Sequence, residues 1–309
     1  MECEKHMPGL TKGPRNYKMA RCLVTGHEGY IGSRLYKKLQ ELGHEVIGID
    51  LASYVPHDIL NTLKEDIDGK FHPHYFNFQP EYVFHMACWP RVGYSVENPV
   101  KTTQNNILAG SILLNFARKV GSVRRVIYSS SSSVVGNGAG PESPYALQKY
   151  TTELETSIYS KLYGLDTVSL RYFNVYSHDQ TISGPYATAV SNWMHAIKNN
   201  IQPYITGDGE QRRDMINVSD VIDANIFCMN SQQNFNGSVF DVGTGSNISL
   251  NEIKQIINKH FLDIKFKYVE PRDGDVMFTK ADVEPLNNLG WTAKINIEEG
   301  IEDCFRRLK

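Results

Sequence analysis

The 309-residue chain has only five cysteines, Cys3, Cys22, Cys88, Cys228 and Cys304, an odd number scattered without metal-type spacing. This argues against a disulfide framework or a zinc site and suits a reducing cytoplasm. No apolar run approaches the ~18 residues of a membrane-spanning helix, and the amino-terminal stretch lacks the apolar core of a secretory signal. Excess charge of one sign is missing too. With a formal net charge of -2 there is no general electrostatic reason to expect nucleic acid or an anionic membrane as partner, so any bound anion must meet local arginines. Internal repeats are absent, and the one biased tract is the serine run Ser129 to Ser133.

What is present fits an ordinary globular protein, 41% hydrophobic, long enough for a full doubly wound sheet and a second lobe. Residues 1–18 are polar and broken by Pro8, Gly9, Gly13 and Pro14, and read as a leader or added extension ahead of a natural start at Met19. From residue 20 to about 175, short apolar strands alternate with helical patterns, as expected of a parallel sheet. Candidate strands are Cys22–Thr25, Val46–Asp50, Tyr82–His85, Arg125–Ser129 and Thr167–Arg171. Long helices are expected over Pro99–Val120 and Tyr145–Tyr163, and if adjacent they offer a surface for a homodimer through a four-helix bundle. Beyond 175 the pattern turns irregular, with short helices such as Ala187–Asn199 and Leu250–His260.

The first strand runs into Gly26-His27-Glu28-Gly29-Tyr30-Ile31-Gly32, which opens a helix over Ser33–Leu42. That is the strand, turn and helix order of a dinucleotide-binding loop. Gly26 permits the turn, Gly29 lets backbone approach a pyrophosphate, and Gly32 allows close helix packing, while the helix start favours phosphate charge. The next strand ends in Asp50, a carboxylate suited to a ribose diol. It would repel a 2′-phosphate, and no arginine follows at Leu51, Ala52 or Ser53, so the expected cofactor is NAD rather than NADP. The alternative is that Asp50 merely caps its strand.

Tyr145-Ala146-Leu147-Gln148-Lys149, with Ser131 upstream, supplies a base, its activator and a polarising hydroxyl for oxidising an alcohol. An ammonium one helical turn from Tyr145 is expected to lower a phenol pKa that is ordinarily ~10. The pair alone would be no more than neighbours on a solvated helix face; the serine strand and the glycine loop give it meaning. The expected fold is α/β: a Rossmann-type doubly wound parallel sheet in residues 19–175, completed by part of 215–245, with a smaller C-terminal α/β substrate lobe over 176–309.

These motifs, together with Val83-Phe84-His85-Met86-Ala87, Arg171-Tyr172-Phe173-Asn174-Val175-Tyr176, Gly207 to Asp214, Arg272 to Val276 and Leu289-Gly290-Trp291, resemble the extended short-chain dehydrogenase/reductases. Within these, the likeness is to the NAD-dependent nucleotide-sugar epimerase/dehydratases, and it covers nearly all of residues 20–305. It implies that Tyr30 and Ile31 join the glycines at the cofactor, that Asp66 and Ile67 contact adenine, and that Ala87 and Asn106 line the cofactor path. It implies that Lys149 also holds the nicotinamide ribose. It further implies that Asn174, Arg213 and Arg272 contact a nucleoside diphosphate and that Gln180 and Tyr186 lie by the sugar or nucleotide. Guanidinium groups suit diphosphates as charged, bidentate donors; the alternative for either arginine is a salt bridge to Asp214 or Asp273.

All branches of the family are expected to oxidise a sugar 4-hydroxyl first. A 4,6-dehydratase resembling the family carries an Asp-Glu pair after the catalytic Ser/Thr, and a uronic acid decarboxylase typically a Glu at the second position; here stand Ser132 and Ser133, expected beside the sugar. A serine cannot abstract a carbon-bound proton unaided. The resemblance is therefore closest to 4-epimerases of UDP-GlcNAc/UDP-GalNAc or UDP-Glc/UDP-Gal, with a small gatekeeper, Thr279, leaving room for an acetamido group. Alternatives are the dehydratase or decarboxylase, an NAD(P)H-dependent 4-keto-sugar reductase, and a non-catalytic NAD sensor. The short Ser131–Tyr145 connection, Val135 and Val283-Glu284 depart from the family pattern around the sugar pocket.

Overall fold

A computed structural model of the protein describes residues 18–51, 59–66, 68–90, 92–136, 138–180, 188–271 and 276–308. Five strands lie where apolar runs predict them: β1 (Arg21–Thr25), β2 (Glu45–Ile49), β3 (Tyr82–His85), β4 (Arg125–Ser131) and β5 (Thr167–Tyr172). A sixth, Ser238–Val242, comes from far along the chain and pairs with β5. The order across the sheet is β2–β1–β3–β4–β5–sixth strand, all parallel. The direction of winding thus reverses between β1 and β3, where a crevice opens at the carboxyl ends of the strands.

Strand alternation divides the core in two. Cys22, Val24, Phe84 and Ile127 face one layer with Leu35 and Leu39 of α1 (Tyr30–Glu41) and Val221 and Ala224 of the helix Val218–Asn230. Leu23, Val83 and Val126 face the other, against Leu113, Leu114 and Phe116 of the helix Ala109–Val120. Each large apolar side chain so removed from water stabilises the fold by about 2 kcal/mol before entropy is counted. A third cluster, including Trp193, Ile253, Ile257, Ile301 and Phe305, forms the core of the C-terminal lobe. At the amino-terminal edge of the sheet the buried Arg125 joins Asp166 (2.6 Å) and the carbonyls of Cys228, Ser231 and Gln233. That network ties β4 to the end of the Val218–Asn230 helix and the turn leading into the sixth strand.

The helix expected over Pro99–Val120 is interrupted by one π-helical turn, Gln104–Leu108, around the buried Asn106. The second long helix spans Pro144–Tyr163, with Ser143 capping the Ala146 N–H (3.2 Å), proline in its first turn and Gly164 in the left-handed conformation at its end. Among the described residues no helix is long and apolar enough to cross a membrane.

Candidate active site

The glycine loop closes as its spacing predicts. Gly26, at φ +70°, donates its N–H to Ile49 (2.7 Å), and its carbonyl accepts from Gly29 (3.0 Å). A Cβ at Gly26 would stand 2.7 Å from the Ala87 nitrogen, and one at Gly32 only 2.0 Å from the Gly26 oxygen. The loop therefore packs backbone on backbone between β1, α1 and the segment after β3. α1 starts with neither a capping side chain nor an acidic residue in its first turn, so its leading N–H groups suit an anion. Asp50 Oδ2 accepts the Glu28 N–H (2.9 Å), which places the carboxylate beside the loop, where a dinucleotide ribose belongs. These features fit NAD.

Other cofactor-side expectations resolve unevenly. Ile31 packs on the core beside β1, and the Tyr30 hydroxyl donates to Ser177 (2.7 Å), tying the loop to the segment after the short strand Val175–Tyr176. Asp66 uses Oδ1 to accept the N–H groups of Asp68 and Lys70 (2.9 and 2.8 Å), closing a tight turn; Ile67 lies outside the described residues. The Asn106 side chain is engaged by both backbone polar groups of Trp89 and by Gln148. It braces the wall after Ala87 through its amide.

β4 carries Ser131 to its end, and the Pro144–Tyr163 helix lays Tyr145 and Lys149 across it. The Ser131 hydroxyl lies near the Tyr145 phenol and favours its ionised form. Lys149, 3% exposed, donates to the Ser129 carbonyl (2.5 Å) and stands 4.9 Å from the Tyr128 ring centre, with the Cys88 thiol close enough for the ammonium to lower its pKa. The expectation that this ammonium lowers the Tyr145 pKa does not hold in the protein alone. Burial pushes the phenol well above its ordinary value, the nearby Cys88 adds to the rise, and only Ser131 opposes it. Burial likewise holds His85, hydrogen-bonded to Thr25 Oγ1 at 2.8 Å, down at about 3, with the Lys149 charge as the second cause. His85 is thus a neutral wall beside Lys149.

Several functional residues escaped the sequence. Tyr145 follows a proline inside the first helical turn, so its N–H has no partner within the helix; the fully buried Ser95 accepts it at 3.0 Å and donates to Val92 (2.7 Å). Glu153, one turn beyond Lys149, accepts from Ser130 and from both Nε and Nη2 of Arg171 (2.9 and 2.8 Å). This clamps the Pro144–Tyr163 helix in register with β4 and β5, and removing the half-buried Arg171 would leave the buried Glu153 carboxylate short of its charge partner, at a cost of about 3 kcal/mol. No local pattern announces either contact, because each joins residues distant in sequence.

On the substrate side Asn174, in the left-handed region at φ +34°, donates to the Asp214 carbonyl (2.6 Å) and to Thr279 Oγ1 (3.5 Å). Thr279 runs beside the short strand Arg212–Arg213, exchanging backbone hydrogen bonds with Arg212 and Asp214. Asn174, Arg213 and Thr279 are therefore brought together. The Asp214 carboxylate, fully buried, accepts from the Thr244 N–H and hydroxyl and from the Gly245 and Ala281 N–H groups. These four donors, rather than an arginine, satisfy it, so the Arg213–Asp214 pairing is not the arrangement formed. Gln180 accepts from Thr188 (3.4 Å). Arg272 and Tyr186 lie outside the described residues, as does Asp273.

Residues 22–243 match the NAD dependent epimerase/dehydratase family. A putative UDP-glucose 4-epimerase of Methanocaldococcus jannaschii is 34% identical over 93% of this chain and 98% of its own. The structure of a UDP-glucose 4-epimerase with UDP-glucose from Thermotoga maritima superposes with a TM-score of 0.83 at 31% identity, over 93% of this chain and 99% of that one. That of a UDP-N-acetylglucosamine 4-epimerase from Methanobrevibacter ruminantium, in complex with UDP-N-acetylmuramic acid, gives 0.80 at 32% identity over 94% and 98%. Sequence likeness across the whole length, the reversing parallel sheet and the backbone-packed glycine loop lead to one assignment: the chain belongs to the NAD-dependent epimerase/dehydratase family.

Proposed function

We propose that this protein is a UDP-sugar 4-epimerase that oxidises the sugar at C4 and reduces it again on the opposite face. The observation that carries this reading is the placing of Ser131 at the end of β4 near Tyr145, with Ser132 and Ser133, and no carboxylate, directly after it. Dehydration or decarboxylation calls for acid-base groups that serines do not supply. NAD, which the glycine loop and Asp50 would hold, would supply the reversible hydride acceptor and bring positive charge into the site. Tyr145 takes the proton from the 4-hydroxyl and later returns it. Ser131 holds the same oxygen, and Lys149 is fixed on the Ser129 carbonyl. Asn174, Arg213 and Arg272 hold the diphosphate.

UDP-GlcNAc/UDP-GalNAc is the substrate pair we favour, with UDP-Glc/UDP-Gal close behind. The short Thr279 side chain, placed on Asn174, leaves room for an acetamido group. Incubation with UDP-GlcNAc, UDP-Glc, UDP-glucuronic acid and dTDP-Glc without added reductant, followed by proton NMR, tests the reaction. A C4 epimer at a finite equilibrium ratio supports it, and a 4-keto-6-deoxy or decarboxylated product rejects it. Thr279→Tyr is expected to reduce turnover of UDP-GlcNAc at least tenfold more than that of UDP-Glc. Equal losses on both would remove Thr279 as a gatekeeper.

The working unit is a homodimer. Leu147, Leu154, Ile158 and Leu162 form an exposed apolar stripe along the catalytic helix, and Val100 and Leu108 are exposed on its neighbour. Two such helix pairs meeting about a two-fold axis would cover both stripes. Sedimentation is expected to give a dimer that Ile158→Lys converts to monomer; a monomeric wild type contradicts this assembly.

A further inference from the structure

Ser131 is an N-cap in extended conformation, at φ -145° and ψ 145°, and the single 3-10 turn Ser132–Val134 that follows folds Ser133 back over it. The Ser133 hydroxyl donates to Ser131 Oγ at 3.0 Å, and the Ser133 N–H donates to the same oxygen at 3.2 Å. A serine hydroxyl has two acceptor lone pairs and one proton. With both lone pairs filled from Ser133, the Ser131 proton has one use left, which is to be donated outward.

We propose that Ser133 is a positioning residue that locks the Ser131 hydroxyl as a hydrogen-bond donor to the Tyr145 oxygen and to the sugar 4-oxygen. The inference rests on the epimerase reading for its consequence. When Tyr145 removes the 4-hydroxyl proton, a serine free to accept that proton's hydrogen bond competes with the base for it. A serine obliged to donate stabilises the phenolate instead, and then the carbonyl oxygen as it forms. The sequence suggests Ser133 as a sugar contact; the structure turns its hydroxyl onto Ser131.

The test compares Ser133→Ala, which removes one of the two donors to Ser131, with Ser133→Thr, which keeps the hydroxyl. On the UDP-sugar that the wild type epimerises, Ser133→Ala is expected to lower kcat about tenfold with KM within about twofold, and to move the acid limb of the kcat profile to higher pH. Ser133→Thr is expected to restore both. Wild-type kcat in Ser133→Ala, a loss confined to KM, or a threonine variant as impaired as the alanine one would each overturn the assignment. Ser133→Cys, which fills the same space and donates weakly, gives the same reading should the alanine variant unfold. A second measurement needs no sugar: in NAD-loaded protein, tyrosinate absorbance in excess of that of Tyr145→Phe reports the Tyr145 titration alone. It should move to higher pH in Ser133→Ala and not in Ser133→Thr. A shift in this titration from a protein that turns over no sugar would reject the epimerase reading while leaving the serine lock standing; an unmoved titration would overturn the lock.

Discussion

Replacing Tyr145 with phenylalanine is expected to lower kcat by about 1,000-fold or more while NAD remains bound. The substitution removes one hydroxyl and little volume, and the ring is already buried against the end of β4. Its backbone anchors, the Ser95 acceptor and the Ser143 cap, are untouched, so the helix stays in place and the loss falls on proton transfer. The free phenol sits well above its ordinary pKa through burial, and Lys149 is committed to the Ser129 carbonyl. Tyr145 therefore becomes an effective base only when further positive charge enters the site, and kcat should rise with pH until the phenol of the loaded enzyme titrates. Turnover, NAD fluorescence quenching and a pH profile on wild type and variant measure this. A Tyr145→Phe enzyme within tenfold of wild type would rule out a phenolic base.

Gly32→Ala is expected to weaken NAD binding at least 100-fold. The added methyl would lie 2.0 Å from the Gly26 oxygen and 2.8 Å from the Gly26 carbonyl carbon. Both are backbone atoms of the turn that carries the phosphate loop, so no side chain can swing aside. Either α1 lifts from the loop or Gly26 moves, and its room is limited because the Ala87 backbone lies so near that a Cβ on Gly26 would stand 2.7 Å from the Ala87 nitrogen. A distortion of this size costs several kcal/mol, and each 1.4 kcal/mol is a tenfold loss of affinity. Calorimetric titration with NAD, alongside thermal melting of the NAD-free protein, separates a damaged loop from a damaged fold. Wild-type affinity would mean that the phosphate lies elsewhere.

The sheet was legible because β1, β3, β4 and β5 are buried on both faces and appear as short apolar runs, and the glycine loop because tight turns demand glycine at fixed intervals. The strand Ser238–Val242 was harder to see: only Val242 along it is fully buried, and it follows the turn residues Asn236 and Gly237. The catalytic trio was legible as chemistry but not as electrostatics. An i, i+4 spacing places Tyr145 and Lys149 on one face, yet it does not say that the ammonium will bond the Ser129 carbonyl. Ser95, Glu153 and Arg171 were illegible for a related reason. Their roles exist only once β3, β4 and β5 are side by side, and the amide of Asn106, expected to line the cofactor path, bonds Trp89 and Gln148 for the same reason.

The most direct test of transient oxidation at C4 uses UDP-GlcNAc carrying deuterium at C4, incubated with the enzyme in ordinary water without added NADH, and NMR or mass spectrometry of the epimer. Hydride removed and returned within one active site predicts that the deuterium stays at C4 of the product, with no label gained from solvent. Loss of the label from C4, with epimer still formed, would show that inversion proceeds by another route and would contradict the account.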